Sequence, residues 1–203
     1  LVDILASSIG SLTNPTKLAR TFASNNIKTT DVTLATYIDY LIDAFMINKA
    51  QRYDIKGKKY IDSPFKFYFT DIGIRNCRLN YRQQEPTHIM ENIIYNELLI
   101  RGYNVDVGII EHTTRNKEGK QKNIQQEVDF ICNTADNRYY IQSAFSIPNE
   151  EKMIQETSQL DKIGDSFKKI IITQDLGKPW RTDKGYLVIN ILDFLLNPSS
   201  LDI

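Results

Sequence analysis

The sequence predicts a mixed α/β chain of the α+β kind, built in two parts. Three observations lead there. Helical apolar periods fill residues 1–45 and two alternating stretches follow as far as residue 70. From residue 88 onward the order becomes α-β-β-β-α-β-β, which suits a mixed sheet with helices on both faces. The charge divides at the same place: residues 1–85 hold 12 basic and 8 acidic side chains, net +4, while residues 86–203 hold 13 and 17, net −4.

Val2–Ile9 reads as a short apolar helix. Asn14-Pro15 then sets an N-cap residue before a proline at the first helical position, where the missing N–H costs nothing, and a helix Pro15–Ser24 follows with Leu18 and Phe22 four apart. Thr29-Thr30-Asp31 caps a third helix, in which Leu34, Ile38, Leu41, Ile42 and Phe45 keep helical spacing. Met46–Asp54 and Lys59–Thr70 alternate like strands around the turn Ile55–Lys58. Three short helices and a hairpin is the order of a winged helix-turn-helix, assigned to residues 1–80. Asn80–Thr87, polar with one proline, reads as a linker.

The second domain, residues 86–203, begins with a helix His88–Arg101 that Gly102 terminates. Strands are expected at Tyr103–Glu111, Gln126–Asn133 and Tyr139–Ser146, with a turn at Thr134–Arg138. A helix over Asn149–Ile163, strands Lys169–Thr173 and Tyr186–Ile191 and a short helix Asp193–Leu196 complete it.

Composition excludes several classes. Apolar residues at 41% and charged residues at 25% rule out wholesale disorder, and 25 basic against 25 acidic side chains give no global field for a polyanion or an anionic membrane. Cys77 and Cys132 lack a CxxC partner, which removes a disulfide scaffold and a zinc knuckle. With no apolar run of membrane length, no membrane partner is expected and the cytoplasm is the expected compartment. Beginning at Leu1 rather than Met, the sequence reads as a piece of something longer.

The candidate chemistry lies in the second domain. Glu91 sits on the helix, Asp129 in the strand Glu127-Val128-Asp129-Phe130-Ile131, and Gln142-Ser143-Ala144 thirteen residues later across a hairpin. Helix, strand and strand in that arrangement resemble the restriction-endonuclease-like core, whose signature is a helix Glu, an Asp and Glu-x-Lys. There two carboxylates hold a hard divalent cation and the lysine serves the attacking water. Gln142 and Ala144 occupy the Glu and Lys positions, so one anion and the amine are missing, and no catalytic or metal residues are assigned. A lysine such as Lys122 or Lys152 could reach in to supply the amine. Glu91 falls on the apolar stripe of Ile94, Tyr95 and Leu98, so its carboxylate requires hydrogen bonds or a basic partner; the other reading is a remnant ligand facing Asp129. Asp129 has the same two readings, and Glu127 reads as a solvated strand-end charge.

Further stretches in order resemble a family. They are Phe67-Tyr68-Phe69-Thr70-Asp71-Ile72-Gly73-Ile74-Arg75, Met90-Glu91-Asn92 with Glu97-Leu98, Glu127-Val128-Asp129-Phe130, Tyr140-Ile141-Gln142, and Tyr186–Asn190 with Asp193–Leu196. Together they are similar to the C-terminal region, of unknown function, of a large group of bacterial AAA-type ATPases, a region that joins a winged helix to a restriction-endonuclease-like domain. The resemblance implies an N-terminal P-loop module absent from this sequence, which would hold the ATP and magnesium. No Gly-x-x-x-x-Gly-Lys-Ser/Thr occurs here, so this chain is expected to bind no cofactor and to be no enzyme by itself. Its expected partners are that ATPase module, a protein target or non-specific DNA. The rival expectations are an active metal-dependent nuclease using Glu91 and Asp129, and a winged-helix DNA-binding regulator.

The third helix, with Asp31, Asp39 and Asp43 and no basic residue, would repel a polyanion. The hairpin is the opposite: Lys49, Arg52, Lys56, Lys58 and Lys59 are the candidate nucleic-acid contacts, non-specific and salt-sensitive. The aromatics from Tyr37 to Phe69 read as core or interface, and Tyr139-Tyr140 as core. Trp180 reads as a loop residue, either buried against the sheet edge or anchoring a partner. His88, His112, Cys77 and Cys132 have no ligand-type or catalytic neighbours.

Overall fold

The computed structural model describes residues 1–115 and 121–203, without the side chains of residues 114, 115 and 122, and among the described residues it has seven α-helices and eight strands. The helices are α1 (Val2–Ser7), α2 (Pro15–Ser24), α3 (Asp31–Asp43), α4 (Ile72–Arg78), α5 (Pro86–Ile100), α6 (Glu150–Thr157) and α7 (Ile191–Leu196). The strands are β1 (Ile47–Asp54), β2 (Lys59–Phe69), β3 (Asn104–Arg115), β4 (Gln121–Asn133), β5 (Arg138–Ala144), β6 (Lys168–Thr173), β7 (Trp180–Arg181) and β8 (Leu187–Asn190). They form one mixed sheet in the order β2-β1-β3-β4-β5-β6-β8-β7, so the α+β class holds.

The chain divides into two compact units: residues 1–51 with 61–96, and residues 52–60 with 97–203. These bounds differ from a cut between residues 80 and 86. The hairpin tip belongs to the second unit, and the first two-thirds of α5 belong to the first.

In the first unit the caps follow the sequence. Asn14 Oδ1 accepts from Lys17 N at 2.7 Å, and Thr30 Oγ1 from Thr33 N at 3.1 Å. Leu5, Ile9, Leu18, Leu34, Ile38, Ile47, Phe67 and Phe69 make one core from α1, α2, α3 and the hairpin strands. The helix α4 was not expected. Asp71 caps it by accepting from Gly73 N and Ile74 N, and its residue Arg75 is fully buried. Arg75 donates to Ala6 O, to Asn76 Oδ1, to Gln83 O at 2.8 Å and to Glu85 Oε2 at 2.9 Å. The stretch read as a linker is therefore tied back to α1 and α4 by one guanidinium, whose fork supplies enough donors for all four acceptors.

In the second unit β3-β4-β5 is antiparallel, while β5, β6 and β8 run parallel. Parallel central strands are buried on both faces, and Ile170, Ile171, Ile172, Leu187, Val188 and Ile189 are all core. In the β3-β4 register Asp106 faces Ile131 and Gly108 faces Val128, so β4 carries one residue more than β3 at a bulge. The bulge brings Val128 and Ile131 into one core cluster with Ile55. A Cβ on Gly108 would stand 3.0 Å from Val128 and 3.1 Å from each of the other two, so any larger residue would have to push these side chains back. The helix expected over Asn149–Ile163 splits into α6 and a 3₁₀ turn Leu160–Lys162, whose Leu160 enters the same cluster as Ile163. Trp180 is a correction to the burial reading: it lies in β7 and is 51% exposed. Tyr139 and Tyr140 are core as expected.

Candidate functional site

Glu91 lies in the first unit and Asp129 in the second, and each has its own surroundings. On β2, strand alternation puts Lys66 and Tyr68 on one face. Lys66 Nζ donates to Glu91 Oε1 at 2.9 Å and Tyr68 OH to the same oxygen at 2.6 Å, and all three residues are buried. His88 Nδ1 stands 3.9 Å from the other oxygen. Gly10, at φ +70°, closes the pocket, and a Cβ there would press on both carboxylate oxygens at 3.2 and 3.4 Å. The next residue of α5, Asn92, is fully buried, accepting from Phe69 N at 2.7 Å and donating to Phe69 O at 2.8 Å. Its side-chain amide thus completes the end of β2 as a neighbouring strand would. The expectation of a basic partner for Glu91 holds, with Lys66 in that role. The sequence signal was the acid itself, placed on the apolar stripe of Ile94, Tyr95 and Leu98.

In the second unit Asp129 Oδ2 accepts from the backbone N–H of Ser143 at 2.8 Å. Gln142 is buried beside Ser143, and neither Gln142 Oε1 nor Ser143 Oγ has a hydrogen-bond partner among the described residues. Ala144 is 2% exposed and packs with Val128, Leu160 and Ile171. A lysine at that position would carry its ammonium into an apolar cluster. A hard divalent cation asks for several anionic oxygens. Asp129, Gln142 and Ala144 offer one carboxylate, and that is bonded to the backbone, so this set does not fit such a metal. Among the described residues no three His, Cys, Asp or Glu side chains are grouped to hold one. Lys152, considered for the missing amine, is paired with Glu156 on α6. The side chain of Lys122 lies outside the described residues. Glu127 is a correction: it sits inside β4 opposite Ile109 and is half-buried, not a solvated strand end.

The five basic hairpin residues separate into two kinds. Arg52 is 5% exposed and donates to Gln125 Oε1 at 2.8 Å, so it is withdrawn from any surface role, a correction to its assignment as a phosphate contact. Its burial follows from strand alternation, which sets it with Asp54 on the inward side of β1. Lys49 is exposed over the Phe65 ring, and Lys56, Lys58 and Lys59 are exposed in and beside the turn. Asp54 does not offset them at the surface, because it is buried and accepts from Lys56 N and Gly57 N.

The solvent side of α3 has a different chemistry. Asp31, Asp39 and Asp43 are exposed along it together with Val32, Tyr37 and Tyr40, and Phe45 follows at 80% exposure with φ +54°. His112 Nε2 accepts from Lys162 Nζ at 3.0 Å, and desolvation, then Lys162, push its pKa below the usual histidine value. Burial pushes the Cys132 thiol far up, so it is an inert core group.

Residues 1–85 match the model of a family described as "Domain of unknown function (DUF8612)". The chain is 36% identical over 196 residues to an uncharacterized protein of Haemophilus influenzae, an alignment that covers 97% of this chain and 45% of that protein. The chain thus spans about half the length of the curated relative it matches. No solved structure matches it. No helix among the described residues is long and apolar enough to cross a membrane.

Proposed function

We propose that this chain is the recognition region of an AAA-type ATPase, a winged helix followed by a catalytically degenerate nuclease-like domain, and that it docks a protein through α3. The observation that carries the docking reading is the solvent side of α3. Exposed Val32, Tyr37, Tyr40 and Phe45 interleaved with three aspartates give an apolar and aromatic patch with acidic neighbours. That composition suits a protein partner and opposes a phosphate backbone. The degenerate reading is supported by Ala144 in the core and by Asp129 bonded to the Ser143 N–H. In this reading the nucleotide-binding module belongs to the part of a longer protein, such as the Haemophilus relative, that the match leaves uncovered.

Two measurements test it. Supercoiled DNA incubated with the chain and Mg²⁺ or Mn²⁺ should stay uncut; cutting that disappears in Asp129→Ala establishes the nuclease instead. The full-length Haemophilus protein should hydrolyse ATP, and an inactive, folded preparation would remove the ATPase assignment.

A weaker second activity has its own observation. Lys56, Lys58 and Lys59 are exposed on one turn, so a salt-sensitive, sequence-independent contact with DNA is expected from the hairpin.

A further inference from the structure

A cavity of about 460 Å³ opens at the carboxyl ends of the parallel strands β5, β6 and β8. Thr173 and Asn190, the last residues of β6 and β8, lie in its floor, and Ile147, just past β5, in its wall. In open α/β sheets this end is where ligands enter, because the strands diverge and their connecting loops leave a crevice. The volume is within the range of small-molecule sites. None of Asp129, Gln142 and Ala144 lines it, so it is separate from the nuclease-like positions.

The walls show what it accepts. Met153 and Ile154 of α6, Val188 and Ile189 of β8, Leu176 and Trp180 supply apolar surface. Three of these are open to solvent: Leu176 at 83%, Ile154 at 56% and Trp180 at 51%. Most of the polar lining is already engaged within the protein. Asn190 Nδ2 donates to Gly177 O at 2.9 Å and to Asp193 Oδ2 at 2.6 Å, and Asn149 Oδ1 caps α6 at Lys152 N. Thr157 donates to Met153 O at 2.9 Å, Thr182 accepts from Tyr186 N at 3.1 Å, and Thr173 bonds Asp175 at 3.2 Å. Asp175 also accepts from Ser146 Oγ at 2.8 Å and from Ile147 N. Lys184 and the Tyr186 hydroxyl both turn to Asp161, at 2.6 and 2.7 Å. What remains at the rim is Lys178 against Glu150 and Asp183, exposed charges of both signs that favour neither an anion nor a cation.

The geometry points to a binding site for an uncharged, apolar small molecule. A polar ligand would strip water from its own groups and meet walls whose polar side chains are mostly bonded within the protein, whereas an apolar one covers exposed Leu176, Ile154 and Trp180 at no such cost. Trp180 is the single tryptophan of the chain and stands on the wall, so occupancy has an intrinsic optical reporter.

The experiment is a titration of the chain with the neutral fluorophore N-phenyl-1-naphthylamine. Saturable binding is expected, with enhanced probe emission and quenching of Trp180 by energy transfer, and toluene should displace the probe. Ile154→Lys, at a position open enough to keep the fold, should weaken binding at least tenfold with an unchanged unfolding midpoint. Trp180→Phe should keep the probe bound while abolishing the transfer. No saturable binding, equal binding by folded Ile154→Lys, or binding confined to a charged analogue of the probe overturns the site. Displacement by an amphipathic peptide but not by toluene overturns it in favour of protein docking.

Discussion

Glu91 and Asp129 are both buried carboxylates, one on a helix of the first unit and one on a strand of the second, and they are stabilised in different ways. Glu91 faces a full cation and a phenol, Lys66 and Tyr68, with 2.9 and 2.6 Å contacts to one oxygen. Asp129 takes a backbone N–H from the strand beside it. An ion pair binds two side chains into mutual dependence, since removing either leaves the other charged and desolvated. A backbone donor exerts no such demand, because an uncharged acceptor of the same shape satisfies it nearly as well.

The contrast is sharpened first at Glu91. Glu91→Ala should cost about 3–5 kcal/mol, read from the midpoint of denaturant unfolding. The double variant Lys66→Met with Glu91→Leu should recover most of that loss, because it leaves no unpaired charge. If the double variant is as unstable as Glu91→Ala, the two acids do not differ in the way described. Asp129→Asn keeps an acceptor for the Ser143 N–H and should cost only about 1 kcal/mol. A loss as large as that of Glu91→Ala would break the comparison from the other side.

Smaller effects belong to the surface. Replacing Lys56, Lys58 and Lys59 by Gln should shift stability by less than about 0.5 kcal/mol while flattening the salt dependence of any DNA gel shift. Asp175 gives the least. The Ile147 N–H holds its carboxyl below the ordinary 3.8, burial opposes this, and Ser146 and Thr173 add to the lowering. A carboxyl lowered on folding adds stability above its unfolded pKa and loses it as pH falls through the folded value. The unfolding midpoint of the native protein should therefore exceed that of Asp175→Asn at about pH 5, with the gap closing towards about pH 2. A gap that widens on acidification would mean that Asp175 is not held ionised by these donors.

Much of this is legible in the sequence. The caps at Asn14 and Thr30, the hairpin, the α5 stripe and the parallel run Ile170–Ile172 follow from side-chain chemistry and spacing alone. The misses have physical reasons. The helix α4 spans seven residues with a glycine and two arginines, too short and polar for a period to register, although Asp71 was a fair cap signal. The first part of β4, Gln121–Gln125, is polar apart from Ile124, so it shows no alternation of apolar residues. The two-residue β7 has no period at all. At the candidate sites the lack of a carboxylate at Gln142 and of an amine at Ala144 was readable from residue type. The identity of the cation at Glu91 was not, since Lys66 lies 25 positions away and only the fold selects it from its neighbours. The cavity beyond β6 and β8 was equally hidden: it is defined by which polar groups are already taken, and pairing of that kind has no signature along a chain.

The ion pair also bears on how the protein can be divided. The family match ends at residue 85, six positions before Glu91, and Arg75 grips Gln83 and Glu85 immediately ahead of that end. A fragment cut there would keep Lys66 in its apolar setting while discarding the acid that neutralises it, and would leave the Arg75 anchorage on a fraying tail. Dissection of this protein therefore has to follow its electrostatics: the shortest piece with a balanced interior runs past Asn92, beyond the border that sequence similarity draws.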